Sequence, residues 1–369
     1  MQQAPFQLGY RRSLDGLRGI SILAVMAFHA DLVIGGGGFL GVDMFFVLSG
    51  FLITALLCEE WGSRGGINLR NFYVRRLLRL LPALVFFLIV QIILVLVRHP
   101  ADIVLWLRAA GYVVLYVANW ALLYNPALIP YNLGHTWSLS IEEQFYLIWP
   151  FLLLLLFRRG IAGKSLIRIV GGGILGAALL YLALWSGGSP FTRVYFSLDT
   201  RAYALLIGCV TGMMASWGML PRSAAGIRAL RTGSVAAVLL LCVMVVTVVY
   251  QKIYPFHLPF LLAAPAMAAI IAGLIAAPLR PLTALLELPP LVWMGRLSYG
   301  LYLWHYPIYT FGNSALPRDR YGAFSTIAST VAIILVAAGS YYLVERPFYR
   351  LKKKFESGRT TAPAGSKVG

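Results

Sequence analysis

Residues 80–97 read LLPALVFFLIVQIILVLV and residues 233–250 read GSVAAVLLLCVMVVTVVY. Neither stretch carries a charge, and both approach the roughly 20 apolar residues that a helix needs to cross a bilayer. Backbone in hydrocarbon must satisfy its own hydrogen bonds, so runs of this kind form helices rather than loops. The rest of the chain follows the same rule. Of its 369 residues 60% are hydrophobic and only 12% charged, where a soluble domain has about a quarter charged. The expected fold class is therefore all-α: a polytopic integral membrane helical bundle.

Eleven apolar segments can be drawn, at about 17–34, 38–58, 80–98, 103–121, 137–157, 168–186, 198–217, 232–250, 257–277, 290–312 and 321–343. Loop charge decides how many of them cross. If 103–121 stays on one side, an inside N-terminus puts 23 of the 31 Lys and Arg on the cytoplasmic side and five outside, with Arg108, Arg201 and Arg296 within segments. If it crosses, the split becomes 12 inside against 16 outside. Basic residues gather in cytoplasmic loops, which favours about ten transmembrane helices with both termini cytoplasmic. Segment 103–121, with Arg108, Asn119 and two tryptophans, then suits an interfacial or re-entrant position on the outer side.

The net charge of +18 would suggest nucleic acid in a soluble protein. Here the basic residues crowd into short loops, which points to anionic lipid headgroups instead. Residues 1–350 read as one transmembrane domain, and residues 351–369 as a basic, then small and polar cytoplasmic tail without fixed structure. The start, MQQAPFQLGYRR, has no apolar core with a cleavage site, so no removable signal peptide is expected. Cys58, Cys209 and Cys242 fall in or at the end of apolar runs and read as core residues rather than disulfides or metal ligands.

Ionisable groups inside spans are costly, and each one raises a functional question. Arg18 and His29 in the first span are eleven residues apart, about 16 Å along the helix. Taken singly, a snorkelling arginine and a hydrogen-bonded core histidine are the ordinary readings. GGGGFLGVDMFFVLSGFLI puts Asp43 near the outer end of the second span, close to His29 if the two helices form a hairpin. Such a carboxylate could cap its helix, or orient the imidazole as a general base. Arg75, Arg76 and Arg79 share one face of the helix entering the third span. They read as a positive-inside anchor, or as a fork-rich phosphate site.

HTWSLSIEEQFYLIWP opens a later span with Trp137, Glu142, Glu143 and Tyr146 near its first turns. Asp199 and Arg201 enter from the outer side, where they could pair with each other. GRLSYGLYLWHYPI brings Tyr299, Trp304 and His305 along another span, and Glu345 closes the last span. On ten spans these residues divide into two zones. His29, Asp43, Glu142, Glu143, Asp199, Arg201 and His305 fall in the outer half; Arg18, Arg75, Arg76, Arg79, Arg296 and Glu345 fall in the inner half.

These strings resemble the acyltransferase 3 family of membrane-bound, acyl-CoA-dependent O-acyltransferases, from Ser13 to about Arg350. SLDGLRGISILAVMAFHA carries the family's arginine, ten residues, histidine pattern at Arg18 and His29. GGFLGVDMFFVLSGFLIT matches a second motif with Asp43, Ser49 and Gly50, and RRLLR a basic motif at Arg75, Arg76 and Arg79. WSLSIEEQFYLIWP, RLSYGLYLWHYP and VERP follow in the family's order. The resemblance implies an acyltransferase that moves an acyl group, often acetyl, from cytoplasmic acyl-CoA to a hydroxyl of a glycan, lipid-linked sugar or other small acceptor at a bacterial inner membrane.

On that reading acyl-CoA is a co-substrate, no cofactor or metal is tightly bound, and Arg18, Arg75, Arg76, Arg79 and Glu345 serve the donor site. His29 is the base, oriented by Asp43 or Glu143. Trp137, Glu142, Tyr146, Arg201, Tyr299 and His305 are candidates for holding the acceptor. Some members of the family carry a fused extracytoplasmic domain that completes transfer. In this chain direct transfer, or a separate extracytoplasmic partner, would take its place. Ser49 has no evident base in sequence, so direct transfer ranks ahead of a covalent intermediate. The rival class is a proton- or ion-coupled transporter, which also uses intramembrane His, Asp, Glu and Arg; no related halves are visible in the sequence.

Overall fold

The computed structural model describes residues 7–248, 258–315 and 318–352. They form α-helices with short 3-10 turns, and no strand occurs among them. In chain order the helices are α1 (Arg12–His29), α2 (Gly41–Arg64), α3 (Leu69–Arg98), α4 (Ile103–Val114), α5 (Ala118–Tyr124), α6 (Trp137–Arg158), α7 (Gly163–Ser186), α8 (Phe191–Tyr195), α9 (Leu198–Ser216), α10 (Ala224–Thr247), α11 (Leu258–Ala276), α12 (Arg280–Leu286), α13 (Pro289–Ala315), α14 (Arg318–Ser340) and α15 (Arg346–Lys352). A π-helical turn, Tyr341–Glu345, joins the last two.

Seven segments are both long and apolar enough to cross a bilayer: Gly38–Arg64, Leu69–Arg98, Tyr131–Arg158, Gly163–Ser186, Ala224–Thr247, Leu258–Ala276 and Gly322–Leu351. The protein is thus an all-α polytopic membrane protein. Three more helices, α1, α9 and α13, have 18, 19 and 27 residues and fall short only in apolarity. They carry Arg18 and His29, Arg201, and His305 respectively. Helices sheltered from lipid by their neighbours can hold such groups where a lipid-facing helix could not. Peripheral helices show the converse: Leu175 and Leu179 of α7 and Leu239 and Val243 of α10 are all more than half exposed, as suits side chains facing acyl chains.

Small residues let the interior helices approach closely, the usual device where lipid is as apolar as the core. A Cβ added at Gly19 or Gly295 would overlap the carbonyl oxygens of Leu291 and Asp15, so α1 lies backbone to backbone against α13. Gly50 and Gly208 would likewise overlap the Leu205 and Val47 carbonyl oxygens, joining α2 to α9. These two pairs set Arg18, His29, Asp43 and Arg201 into the interior.

Segment 103–121 is not one helix. It breaks at Tyr116, whose φ of 54° is left-handed, into α4 of 12 residues and α5 of seven. At 1.5 Å per residue these reach about 18 and 10 Å, well short of the hydrocarbon thickness. Gln144 of α6 holds the break, donating from Nε2 to the Tyr116 carbonyl oxygen at 2.7 Å and to Asn119 Oδ1 at 2.8 Å. On the ten-span expectation cysteines placed at 125–132 should label only from outside the cell, and labelling from the cytoplasm alone would overturn that expectation.

Residues near both ends of the described chain meet at the Arg18 end of the bundle. The Leu8 amide donates to Glu59 Oε2 at 3.0 Å, Arg296 Nη2 to the Tyr10 hydroxyl at 2.8 Å, and Trp293 Nε1 to the Tyr342 hydroxyl at 3.2 Å. The tail expected over 351–369 lies outside the described residues from 353 onward.

Candidate active site

His29 ends α1, and its ring meets His305 of α13 edge-on, with centroids 4.9 Å apart. The hydrogen-bond network assigns both tautomers. His305 Nδ1 lies 2.7 Å from the Tyr302 carbonyl oxygen. A carbonyl can only accept, so Nδ1 carries the proton and Nε2 of the neutral ring is an acceptor. That Nε2 lies 3.2 Å from His29 Nδ1, which also faces the Val25 carbonyl oxygen at 3.0 Å. The same reasoning places a proton on His29 Nδ1, shared between Val25 and His305. The lone pair of His29 is then on Nε2, which bonds to no group among the described residues.

Beside this pair sits His135, on the 3-10 turn leading into α6 and only 3% exposed. Its ring lies 5.6 Å from His305 and 5.1 Å from Tyr306, and Tyr306 lies 4.9 Å from His29. The Tyr302 hydroxyl bonds to Ser138 Oγ and donates to the His135 carbonyl oxygen, tying α13 to the start of α6. The sequence reading passes over His135. The signal was an ionisable ring at the edge of an apolar run, the same one that marks His29 and His305.

A second group of buried and half-buried side chains is built from arginines and carboxylates. Arg18 Nη2 donates to Ser298 Oγ at 2.9 Å. Arg76 stands over the Tyr146 ring at 3.5 Å and 3.5 Å from Glu143 Oε1. Ser49 Oγ donates to Glu142 Oε1 at 2.7 Å, and Arg76, Arg18 and Arg79 are within electrostatic reach of that carboxylate. Glu345, 1% exposed, accepts from the Tyr349 hydroxyl at 3.2 Å and lies within reach of Arg79 and Arg18 rather than Arg76. Arg75 faces Glu60 at 3.9 Å, and the Tyr299 hydroxyl donates to the Leu80 carbonyl oxygen at 3.0 Å. Arg79 makes no ion pair or hydrogen bond among the described residues, its charge lying within electrostatic reach of Glu345, Glu142 and Tyr349.

Several expectations drawn from sequence need correction. Neither Asp43 nor Glu143 orients His29. Asp43 is paired with Arg201 at 2.9 Å, both side chains fully buried, and Glu143 is paired with Arg76; His305 and the Val25 carbonyl hold the His29 ring instead. Glu142 and Glu143 belong with the arginines rather than with the histidines, because α6 carries them one to two turns inward from Trp137. Asp199 does not pair with Arg201. Residues two apart on a helix point to different faces, so Asp199 takes Arg193 through two bonds of 2.9 and 2.6 Å while Arg201 turns inward to α2. Arg201 lies among the rings of Phe260, Tyr195, Trp137 and Phe46, away from any surface where an acceptor could meet it. Trp137 is correspondingly an interior residue, 6% exposed. No cluster of three or more metal-ligating side chains with suitable geometry occurs among the described residues.

A family model described as an acyltransferase domain matches residues 11–345. Peptidoglycan O-acetyltransferase OatA of Listeria monocytogenes is 34% identical over 351 residues, which cover 92% of this chain and 56% of that protein. The putative peptidoglycan O-acetyltransferase YrhL of Bacillus subtilis is 31% identical, covering 92% and 55%. O-acetyltransferase OatA of Staphylococcus aureus is 32% identical, covering 94% and 58%. The chain thus spans a little over half the length of these curated relatives. No solved structure matches it.

Proposed function

Because the chain belongs to the acyltransferase 3 family, we propose that it is a multi-pass O-acetyltransferase of a bacterial cell membrane, moving acetyl from cytoplasmic acetyl-CoA to a hydroxyl of a peptidoglycan-type glycan. The observation that carries this reading is the free Nε2 of His29, held by a fixed tautomer about 16 Å along α1 from Arg18. His29 Nε2 takes the acceptor's hydroxyl proton as the oxygen attacks the acyl carbonyl, and returns it to the departing CoA sulfur. General base catalysis of this kind needs a neutral imidazole with its lone pair aimed at the substrate.

The donor enters from the Arg18 end, which carries the basic first turns of α3 with Arg75, Arg76 and Arg79 and so faces the cytoplasm. Arg79, which makes no direct ion pair among the described residues, and Arg18 hold the CoA phosphates. Arg76 is already held by Glu143 and Tyr146, so it shapes the channel through which the narrow pantetheine arm extends. Glu345 positions Arg79 and Arg18. The acceptor arrives from the other end, where Tyr131, 71% exposed, packs at a tilt against Tyr306 with centroids 5.3 Å apart, and Tyr306 leads to His29. Exposed aromatic rings are suitable platforms for sugar rings, one face of which is apolar. His305 orients the base.

The test is acceptor-dependent CoA release by the purified protein in nanodiscs, with acetyl-CoA and soluble glycan fragments. Arg79→Ala should raise KM for acetyl-CoA by about tenfold or more, as expected for loss of a charged hydrogen bond to phosphate, and leave kcat nearly unchanged. Equal KM values for the two proteins would remove Arg79 from the donor site. CoA release that no acceptor stimulates would point to a separate extracytoplasmic partner that receives the acetyl group.

A further inference from the structure

His135 is buried to 97%, and although the Leu303 backbone lies within reach of the ring, neither ring nitrogen makes a hydrogen bond of good geometry among the described residues. A neutral imidazole carries one N–H donor and one lone pair, and burying both unpaired is costly. The backbone around the ring is fixed. The Thr136 hydroxyl donates to the Leu133 carbonyl oxygen at 2.7 Å, and the His135 carbonyl accepts from Tyr302 at 3.0 Å. The ring itself is wedged against Phe87, Tyr302 and Tyr306, so it cannot swing away to find a partner. A group so held and so unsatisfied is waiting for one.

The neighbouring histidines have no such capacity to spare. Both protons of the pair are spent, His305 on its own helix and His29 on Val25 and His305. His29 therefore supplies a base and no donor. Acyl transfer needs both, because the carbonyl oxygen gains negative charge as the tetrahedral intermediate forms, and a donor placed there lowers the barrier.

We propose that His135 is the oxyanion donor of the reaction, its ring N–H meeting the carbonyl oxygen of the acyl group while His29 acts on the acceptor. The inference rests on the proposed thioester donor. In the first step the acceptor's O–H proton passes to His29 Nε2, the acceptor oxygen bonds to the acyl carbon, and the carbonyl electrons move onto the oxygen held by His135. In the second step that oxygen re-forms the double bond, the C–S bond breaks, and the proton on His29 passes to the CoA thiolate. His135 stays neutral throughout, and no other reactant is required.

The experiment compares wild type, His135→Phe, His135→Ala, His135→Gln and His135→Asn in nanodiscs, reading kcat and KM for acetyl-CoA together with thermal unfolding. His135→Phe keeps a ring in the aromatic wedge and removes both unsatisfied nitrogens, so it should unfold no earlier than wild type. It should nonetheless lose about 100- to 1,000-fold in kcat with little change in KM. The Gln and Asn variants retain an N–H donor, and at least one should recover a substantial part of that loss. A folded Phe or Ala variant with near-wild-type kcat overturns the proposal. So does an equal loss in the Phe, Gln and Asn variants while all unfold at the wild-type temperature. Wild-type protein that consumes no acetyl-CoA with any acceptor defeats the donor reading itself, and the inference with it.

Discussion

His29→Ala should insert and fold as the wild type does and lose about 100- to 10,000-fold in acetyl transfer, the range that a positioned general base contributes. The retained fold follows from the position of the residue. His29 is the last residue of α1, half-buried, and its ring makes one bond to its own helix and one to His305. Truncating it opens a small polar gap without leaving a buried charge unpaired. The loss should appear in kcat, because the proposed site for the CoA moiety lies about three turns away. Thermal unfolding and acceptor-dependent CoA release, measured on one preparation, separate the two effects. Near-wild-type turnover by the folded variant would remove the base assignment.

Asp43→Asn should have the largest effect on stability, through a different physical cause. Asp43 and Arg201 are both fully inaccessible, 2.9 Å apart, between two helices whose glycines bring their backbones together. Neutralising the carboxylate leaves an arginine charge in a setting of Phe260, Tyr195, Trp137 and Phe46. Breaking a buried pair in this way costs about 3–5 kcal/mol, whereas replacing both partners by apolar residues of similar volume is often neutral or stabilising. Asp43→Asn should therefore unfold well below the wild-type temperature in detergent, and the double variant Asp43→Leu, Arg201→Met should recover most of the loss. If Asp43→Asn unfolds with the wild type but has lost turnover, Asp43 acts in the chemistry and not in the packing.

These two residues also mark where legibility in the sequence ends. His29 is exposed to inspection because a histidine eleven residues from an arginine in one apolar run is costly wherever the helix lies, and the spacing alone gives their separation along the helix. Asp43 carries the same signal of cost, but cost says nothing about partner. Its place near the outer end of α2 suggests His29 across a hairpin. The partner is Arg201, 158 residues later, because α2 packs most closely on α9. Glu143 shows the same limit, since the arginine it meets comes from α3, more than sixty residues earlier in the chain. His135 shows another. A histidine beside a run of recognisable residues attracts no notice until its ring is found buried with both nitrogens unpaired.

By itself the sequence determined the class of the protein, the places of its long apolar segments, the odd character of 103–121 among them, and the family. All of these rest on local quantities: apolar length against bilayer thickness, loop charge, and short motifs whose spacing is set by the rise of one helix. Only the tertiary structure decided who pairs with whom. It gave Arg201 to Asp43 and Arg76 to Glu143, put His305 and not a carboxylate behind His29, and left His135 unpartnered beside them. The reason is that a buried charge must find a partner somewhere in the bundle, and which helices come close enough to supply it depends on glycines and packing between segments far apart in the chain.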